Sequence, residues 1–313
     1  MTTRRPRGTE SLLQTRARAL RRYLPAAVAG DDRGVHQARV ASRRLREAVP
    51  VLASGLKHSK SKKAGRKIRR LTRALGSVRE LDVTLHLIDE LAASDLSRPA
   101  LQDVRLHVME ERDRLRETML ADLGEVNIDK LNRRLASVAE AIAADRSGGW
   151  RQVLASRLLK RARRLTEAID TAGQLYVPEH LHQVRIAAKK LRYGLELAAD
   201  AGVAGAAALV RTVKRTQTTL GRLHDLQVLQ AHVAAVQAAP HARAASHEGL
   251  GAIAGRIEEQ CRLLHGKFVA SVPALHDVTA AVRSDIAGRL AARRRPLKMS
   301  LAARRRKTAG SAG

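Results

Sequence analysis

One stretch of this chain occurs twice, and that repeat leaves few folds open. Residues 35–52 read VHQARVASRRLREAVPVL and residues 181–198 read LHQVRIAAKKLRYGLELA, aligned without a gap at an offset of 146 residues. His36 matches His182, Arg39 matches Arg185, Arg43 and Arg44 match Lys189 and Lys190, and Arg46 matches Arg192. At about 100° per residue, His36, Arg39, Arg43 and Arg46 fall on one stripe of a helix. Ala38, Ala41, Leu45, Ala48, Val49 and Leu52 fall on the opposite side. The second copy sets His182, Arg185, Lys189 and Arg192 against Val184, Ala187, Leu191, Leu195 and Ala198. Each copy is therefore expected to be a helix with a core face and a cationic face led by a histidine.

A second pair of segments repeats in the same order. LGSVRELDV (residues 75–83) matches LGRLHDLQV (residues 220–228) at an offset of 145. Two ordered matches at nearly equal offsets argue for duplication of a whole helical unit. Sustained period-2 runs of β-branched and aromatic residues are absent, so strands are not expected. With one Phe, one Trp and three Tyr, the core must be aliphatic. The expected fold is all-α, with helical halves at 9–146 and 150–282 and a boundary at Ser147, Gly148 and Gly149. Residues 1–8 read as a frayed basic arm, and KHSKSKK (residues 57–63) as a linker to one helix over 65–93. Pro273 divides the last stretch into two expected helices, 250–272 and 274–290.

The net charge is +29, and self-repulsion on that scale favours a polyanionic partner: nucleic acid, an anionic membrane surface or inorganic polyphosphate. Residues 283–313 hold ten Lys or Arg against one Asp, so +20 remains on residues 1–282. The basic tail, 284–313, reads as mostly disordered and does not account for the charge of the body. The expected location is the cytoplasm: no stretch is apolar enough to span a bilayer, and MTTRRPRGTE has no apolar leader. The single cysteine, Cys261, reads as an inert core filler in a reducing compartment.

The cationic stripes carry the chemistry. Arg66, Arg69, Arg70 and Arg73 precede the first LG motif; Arg211, Lys214 and Arg215 precede the second, and Arg222 continues their line. These faces are read as recurring without acidic partners, whereas a solvated helix face alternates signs. Guanidinium arrays suit phosphate oxygens through bidentate hydrogen bonds, Lys adds point charge, and a nearby phosphate favours protonated histidine. From His36 to Arg46 the rise is about 15 Å, long enough for several phosphates of one chain. Arg44 and Lys190 lie about 100° off the main stripe. Arg18 and Arg22, with Arg157, Arg161 and Arg164, are candidates for a further wall.

The doubled H-x-x-R-x-x-x-[RK]-[RK]-L-R pattern, each copy followed by a basic helix and LG-x-x-[RH]-[ED]-L, resembles the two halves of a CHAD domain (conserved histidine α-helical domain) over about residues 9–282. The resemblance implies two four-helix bundles related by a pseudo-two-fold axis, with basic faces lining a shared groove or pore. It implies binding of inorganic polyphosphate, targeting to polyphosphate granules, and no catalysis by the domain. The ligand set carried over is His36, Arg39, Arg43, Arg46, Arg66, Arg69, Arg70 and Arg73, then His182, Arg185, Lys189, Arg192, Arg211, Lys214, Arg215 and Arg222. The halves diverge where His224 and Gln227 replace Arg79 and Asp82.

Other chemistries lack their signatures. No phosphate-binding P-loop is present, nor an H-E-x-x-H motif or the E-x-E-x-K strand of triphosphate-tunnel hydrolases. His180 and His182 lie two apart at a helix start and have no neighbouring acid or cysteine, so neither a metal nor a cofactor is expected. Five further histidines, His58, His86, His107, His247 and His265, lack a repeated partner and read as surface or core positions. The alternative reading is sequence-nonspecific nucleic-acid binding, with the tail touching DNA through phosphates. Scarce aromatics argue against base stacking.

Overall fold

The computed structural model describes residues 9–56, 58–93, 96–144, 148–239 and 244–292. The basic arm at 1–8, the boundary residue Ser147 and the tail from 293 onward lie outside them. The described residues are helical and contain no strand. In chain order they form α1 (Thr9–Val28), α2 (Asp32–Leu52), α3 (His58–Ala74), α4 (Ser77–Leu91), α5 (Arg98–Gly124) and α6 (Ile128–Ala144). Then follow α7 (Trp150–Ala172), α8 (Pro178–Asp200), α9 (Ala206–Gln237), α10 (Ala244–Ala281), a π turn (Val282–Ile286) and α11 (Ala287–Ala292). Among the described residues no helix is long and apolar enough to cross a membrane.

The helix carrying the first His/Arg stripe starts where the sequence supplies a cap. Asp31 is extended and its carboxylate accepts from the Gly34 amide at 2.5 Å, satisfying one of the orphan donors of the first turn. Gly34 also permits α1 and α2 to touch: a Cβ there would stand 2.7 Å from the Ala26 side chain. The buried face of α2 is Ala38, Ala41, Leu45, Ala48, Val49 and Leu52, as the periodicity requires.

Four boundaries differ from the sequence expectation. Residues 58–63 of the basic run are helical and not a linker: α3 starts at His58 and buries Ala64, Ile68 and Leu71, while Lys57 lies outside the described residues. The single helix expected over 65–93 is broken at Leu75–Gly76 into α3 and α4. Conversely, α10 runs through Pro273. An internal proline costs a helix about 3 kcal/mol. Fully buried Phe268 and Leu275 flank it, and their burial offsets that cost. The helix instead loosens later, into the π turn. Val282, Ile286 and Leu290 are buried, so residues 283–292 belong to the folded body and not to the tail.

The aliphatic core crosses the sequence midpoint. One cluster joins Leu13, Leu45 and Leu71 to Leu158, Leu191 and Phe268. A second joins Leu81 and Val104, on α4 and α5, to Leu226 and Ile257, on α9 and α10. Cys261 is a free thiol buried in that second cluster. Helix α2 packs against α4, α7 and α8, while α9 packs against α4, α5, α8 and α10. Four helices, α2, α4, α8 and α9, thereby enclose one seam.

Candidate phosphate-binding seam

The two histidine-led stripes meet in that seam. From α2, Arg43 acts electrostatically on Arg185 and Lys189 of α8; Arg39 acts on Lys189 as well. His36, Arg39, Arg43, His182, Arg185 and Lys189 are all partly buried, neither solvated nor lost in the core. Burial penalises charge, and a row of like charges adds repulsion. Lys189 shows both effects: burial first, then Arg185, Arg43, Arg39 and Arg192, push its ammonium down to about 7. Arg39 is pushed down to about 10, mainly by burial and then by Arg43, against Glu80 acting the other way. The buried Nε of Arg39 has no hydrogen-bond partner among the described residues. His36 and His182 are also lowered, by burial and then by neighbouring cations and, at His182, by His224. Such a site favours an anion that would re-solvate its donors.

The repeated LG motifs supply residues absent from the candidate ligand set. Arg79 acts on both His36 and Arg39. His224 stands 3.4 Å from the Glu80 carboxylate, and its ring centroid lies 5.2 Å from that of His182. Glu80 is held below the usual carboxylate range, first by the His224 hydrogen bond and less by Arg39 and Arg185. Asp225, at the position matching Glu80, is pushed up by burial and pulled down by Arg185. An acidic pair, one from each half, therefore stands against the cationic seam. The signal was in the sequence: [RH]-[ED] occurs in both motifs.

Several cationic faces do have acidic partners, contrary to expectation. Arg44 and Arg192, from different halves, both grip Glu196, Arg44 at 3.3 Å. Arg192 Nε also donates to Gln217. Arg70 pairs with Glu125 and Asp122, and Arg222 reaches Glu90 of α4. Glu90, Glu125 and Asp122 come from other helices or turns, which a helical wheel of one basic stretch does not show; Glu196 stands one turn beyond Arg192 on α8 itself.

Arg161 and Arg157 serve the junction rather than a wall. Arg161 donates to the Lys190 carbonyl at 2.7 Å and pairs with Glu47 of the other half; Arg157 reaches the Pro50 carbonyl at 3.5 Å. Arg16, which the sequence did not single out, does the same in reverse. It donates to the Arg44 carbonyl at 3.0 Å and to Asp200 at 2.9 Å. Arg44 and Lys190 are matched positions, so these two arginines brace the halves symmetrically.

The remaining candidates lie outside the seam's centre. Arg46, Arg66, Arg69 and Arg73 are exposed. Arg211, Lys214 and Arg215 line a surface depression on α9. Lys214 precedes Asp225 by 11 residues, about 16 Å along nearly the same face, so this patch prolongs the seam. Arg164 and Lys190 border a depression of about 270 Å³ between α7 and α8. Arg18 lines another between α1 and α6, and Arg22 stacks on Tyr23 at 5.5 Å.

A family model described as CHAD domain matches residues 11–234. Among solved structures, the chain is similar to the CHAD domain from the plant Ricinus communis, with a TM-score of 0.61 at 23% identity. That likeness covers 85% of this chain and 90% of the plant one. It is also similar to PptA from Streptomyces chartreusis, with a TM-score of 0.60 at 16% identity, over 85% of this chain and 98% of that one. Both likenesses show the fold. No curated protein matches the sequence.

Proposed function

Since this chain belongs to the CHAD-domain family, we propose that the α2/α8 seam binds inorganic polyphosphate without cleaving it, in the cytoplasm and at polyphosphate granules. The observation that carries this reading is the meeting of Arg39 and Arg43 of α2 with Arg185 and Lys189 of α8 in one partly buried seam, where burial and these neighbours push Lys189 down to about 7. Concentrating cations in a half-buried cleft destabilises the empty protein unless the site serves an anion. Arg39, Arg43, Arg185 and Lys189 offer donors to successive phosphates, and the neutral histidines take up protons when phosphate arrives. The α9 run from Lys214 continues that track.

A competition titration tests the reading. Long-chain polyphosphate should displace duplex DNA, and deletion of residues 293–313 should leave polyphosphate affinity largely unchanged. The deletion starts at 293 because Ile286 and Leu290 are core residues. Tighter binding of DNA by the truncated body would favour the nucleic-acid alternative. Incubation with polyphosphate should release no orthophosphate; steady release would reveal an enzyme.

A further inference from the structure

Outside the seam, one cluster of side chains has the composition and spacing of a metal site. His107 and Glu111 stand one turn apart on α5, which places them on the same face. His232 approaches from α9. Its Nδ1 lies 3.6 Å from a Glu111 carboxylate oxygen, and its ring meets His107 edge-on at 5.6 Å between centroids. One ligand atom from each residue lies within 4.8 Å of the other two, and all three residues are partly buried. Ligands around a tetrahedral zinc ion, at bond lengths near 2.1 Å, stand about 3.4 Å apart. Small side-chain rotations would therefore close the group without moving a helix.

We propose that His107, Glu111 and His232 bind a divalent transition-metal ion of the zinc type. The donor set, two imidazoles and one carboxylate, matches open zinc sites that keep a fourth position for water or another ligand. Because α5 belongs to the first half and α9 to the second, the ion fastens the halves together. The site lies farther along α9 than the seam: His232 is seven residues, about 10 Å, beyond Asp225, and Glu80 of the seam still acts on it. It does not depend on polyphosphate binding. The sequence reading missed it because His107 and His232 are 125 residues apart and neither lies in a repeated motif.

The competing account is a plain Glu111–His232 ion pair beside a ring contact. Full-length protein, freed of metal with a chelator and kept free of polyphosphate, would be titrated with Co²⁺ and with Zn²⁺. We expect one equivalent of Co²⁺ to bind with visible d–d absorption. Zn²⁺ at a hundredfold excess over its Kd should raise Tm by about 5 °C. Either His232→Ala or the volume-preserving Glu111→Gln should weaken binding at least tenfold. Substituting His276, whose recorded acidic neighbour Asp170 is 3.9 Å away on α7, should change nothing. Absence of saturable binding in the folded protein, or an affinity in the Glu111→Gln or His232→Ala variant equal to the parent's, would overturn the proposal.

Discussion

In the first half the basic run and the acidic motif sit on two helices, α3 and α4; in the second they sit on one continuous helix, α9. Both versions carry Leu-Gly at the joint. A Cβ on Gly76, in the turn, would stand 2.8 Å from the Arg73 carbonyl oxygen, whereas one on Gly221, inside α9, would meet nothing within 4 Å beyond its own helix backbone. The same dipeptide is a required bend in one copy and a tolerated helical residue in the other. The neighbours differ accordingly. Asp82 of α4 is almost fully buried and takes a hydrogen bond from Arg112 at 2.7 Å, and Arg112 also reaches Asp32 at 2.9 Å. The matching Gln227 donates instead to the Tyr176 hydroxyl at 3.0 Å. A broken helix anchored by a buried ion pair, and a continuous one held by a neutral hydrogen bond, present equivalent residues, Glu80 and Asp225, to one seam.

The largest effect should come from breaking the anchor that only the first half has. Replacing Arg112 with Ala strands the Asp82 charge and should cost about 3 kcal/mol in urea unfolding. Removing the second half's counterpart, with Gln227→Ala, should cost about 1 kcal/mol. Similar costs would show that the two anchors are equivalent. At the joint, Gly76→Ala should destabilise by more than about 1 kcal/mol. Its partner, Gly221→Ala, should be neutral or stabilise by up to about 1 kcal/mol. A destabilised Gly221→Ala protein would mean that α9 also bends there.

The pH dependence sharpens the same contrast, because the matching position to Lys189 is Arg43, which cannot titrate in the working range. Unfolded Lys titrates above 10 and folded Lys189 at about 7, so between these values the unfolded chain binds the extra proton. Stability of the empty protein should therefore rise with pH across that window, with the full penalty present below 7. Polyphosphate favours the charged form, so Lys189 should contribute a fall in affinity as pH climbs from 7, at most about tenfold per unit and additional to that from the seam histidines. Lys189→Met should flatten the stability trend and make the binding trend shallower in paired thermal and binding titrations. The smallest effect is expected at Arg262, which is exposed on α10 and pairs only locally with Glu258. Its change to Ala should leave stability and affinity within error.

The helical character, the faces of α2 and α8 and the aliphatic core were legible because they depend on local periodicity. Leu45 and Leu191 are fully buried while His36 and His182 line the seam, as the wheel requires. The breaks were not legible: Gly76 and Pro273 exchange their expected roles, since burial around Phe268 outweighs a missing amide while the Gly76 neighbourhood excludes a Cβ. Ion pairing was misread for the same reason. Glu47 and Glu90, and Glu196 toward Arg44, meet their arginines only after distant segments fold together, whereas the Arg192–Glu196 pair lies one turn apart on α8 and was open to view. Arg112, which resembles an ordinary surface arginine in sequence, is instead a structural anchor.

The central claim is that two copies of one helix act on one ligand in one seam. Calorimetric titration with polyphosphate of defined length tests it most directly, using Arg39→Glu for the first stripe and Lys189→Glu for the second. The account predicts that one polyphosphate chain binds per protein and that each single variant weakens that event by tenfold or more without changing its stoichiometry. Two binding events in the parent protein, each abolished by one variant and untouched by the other, would contradict it.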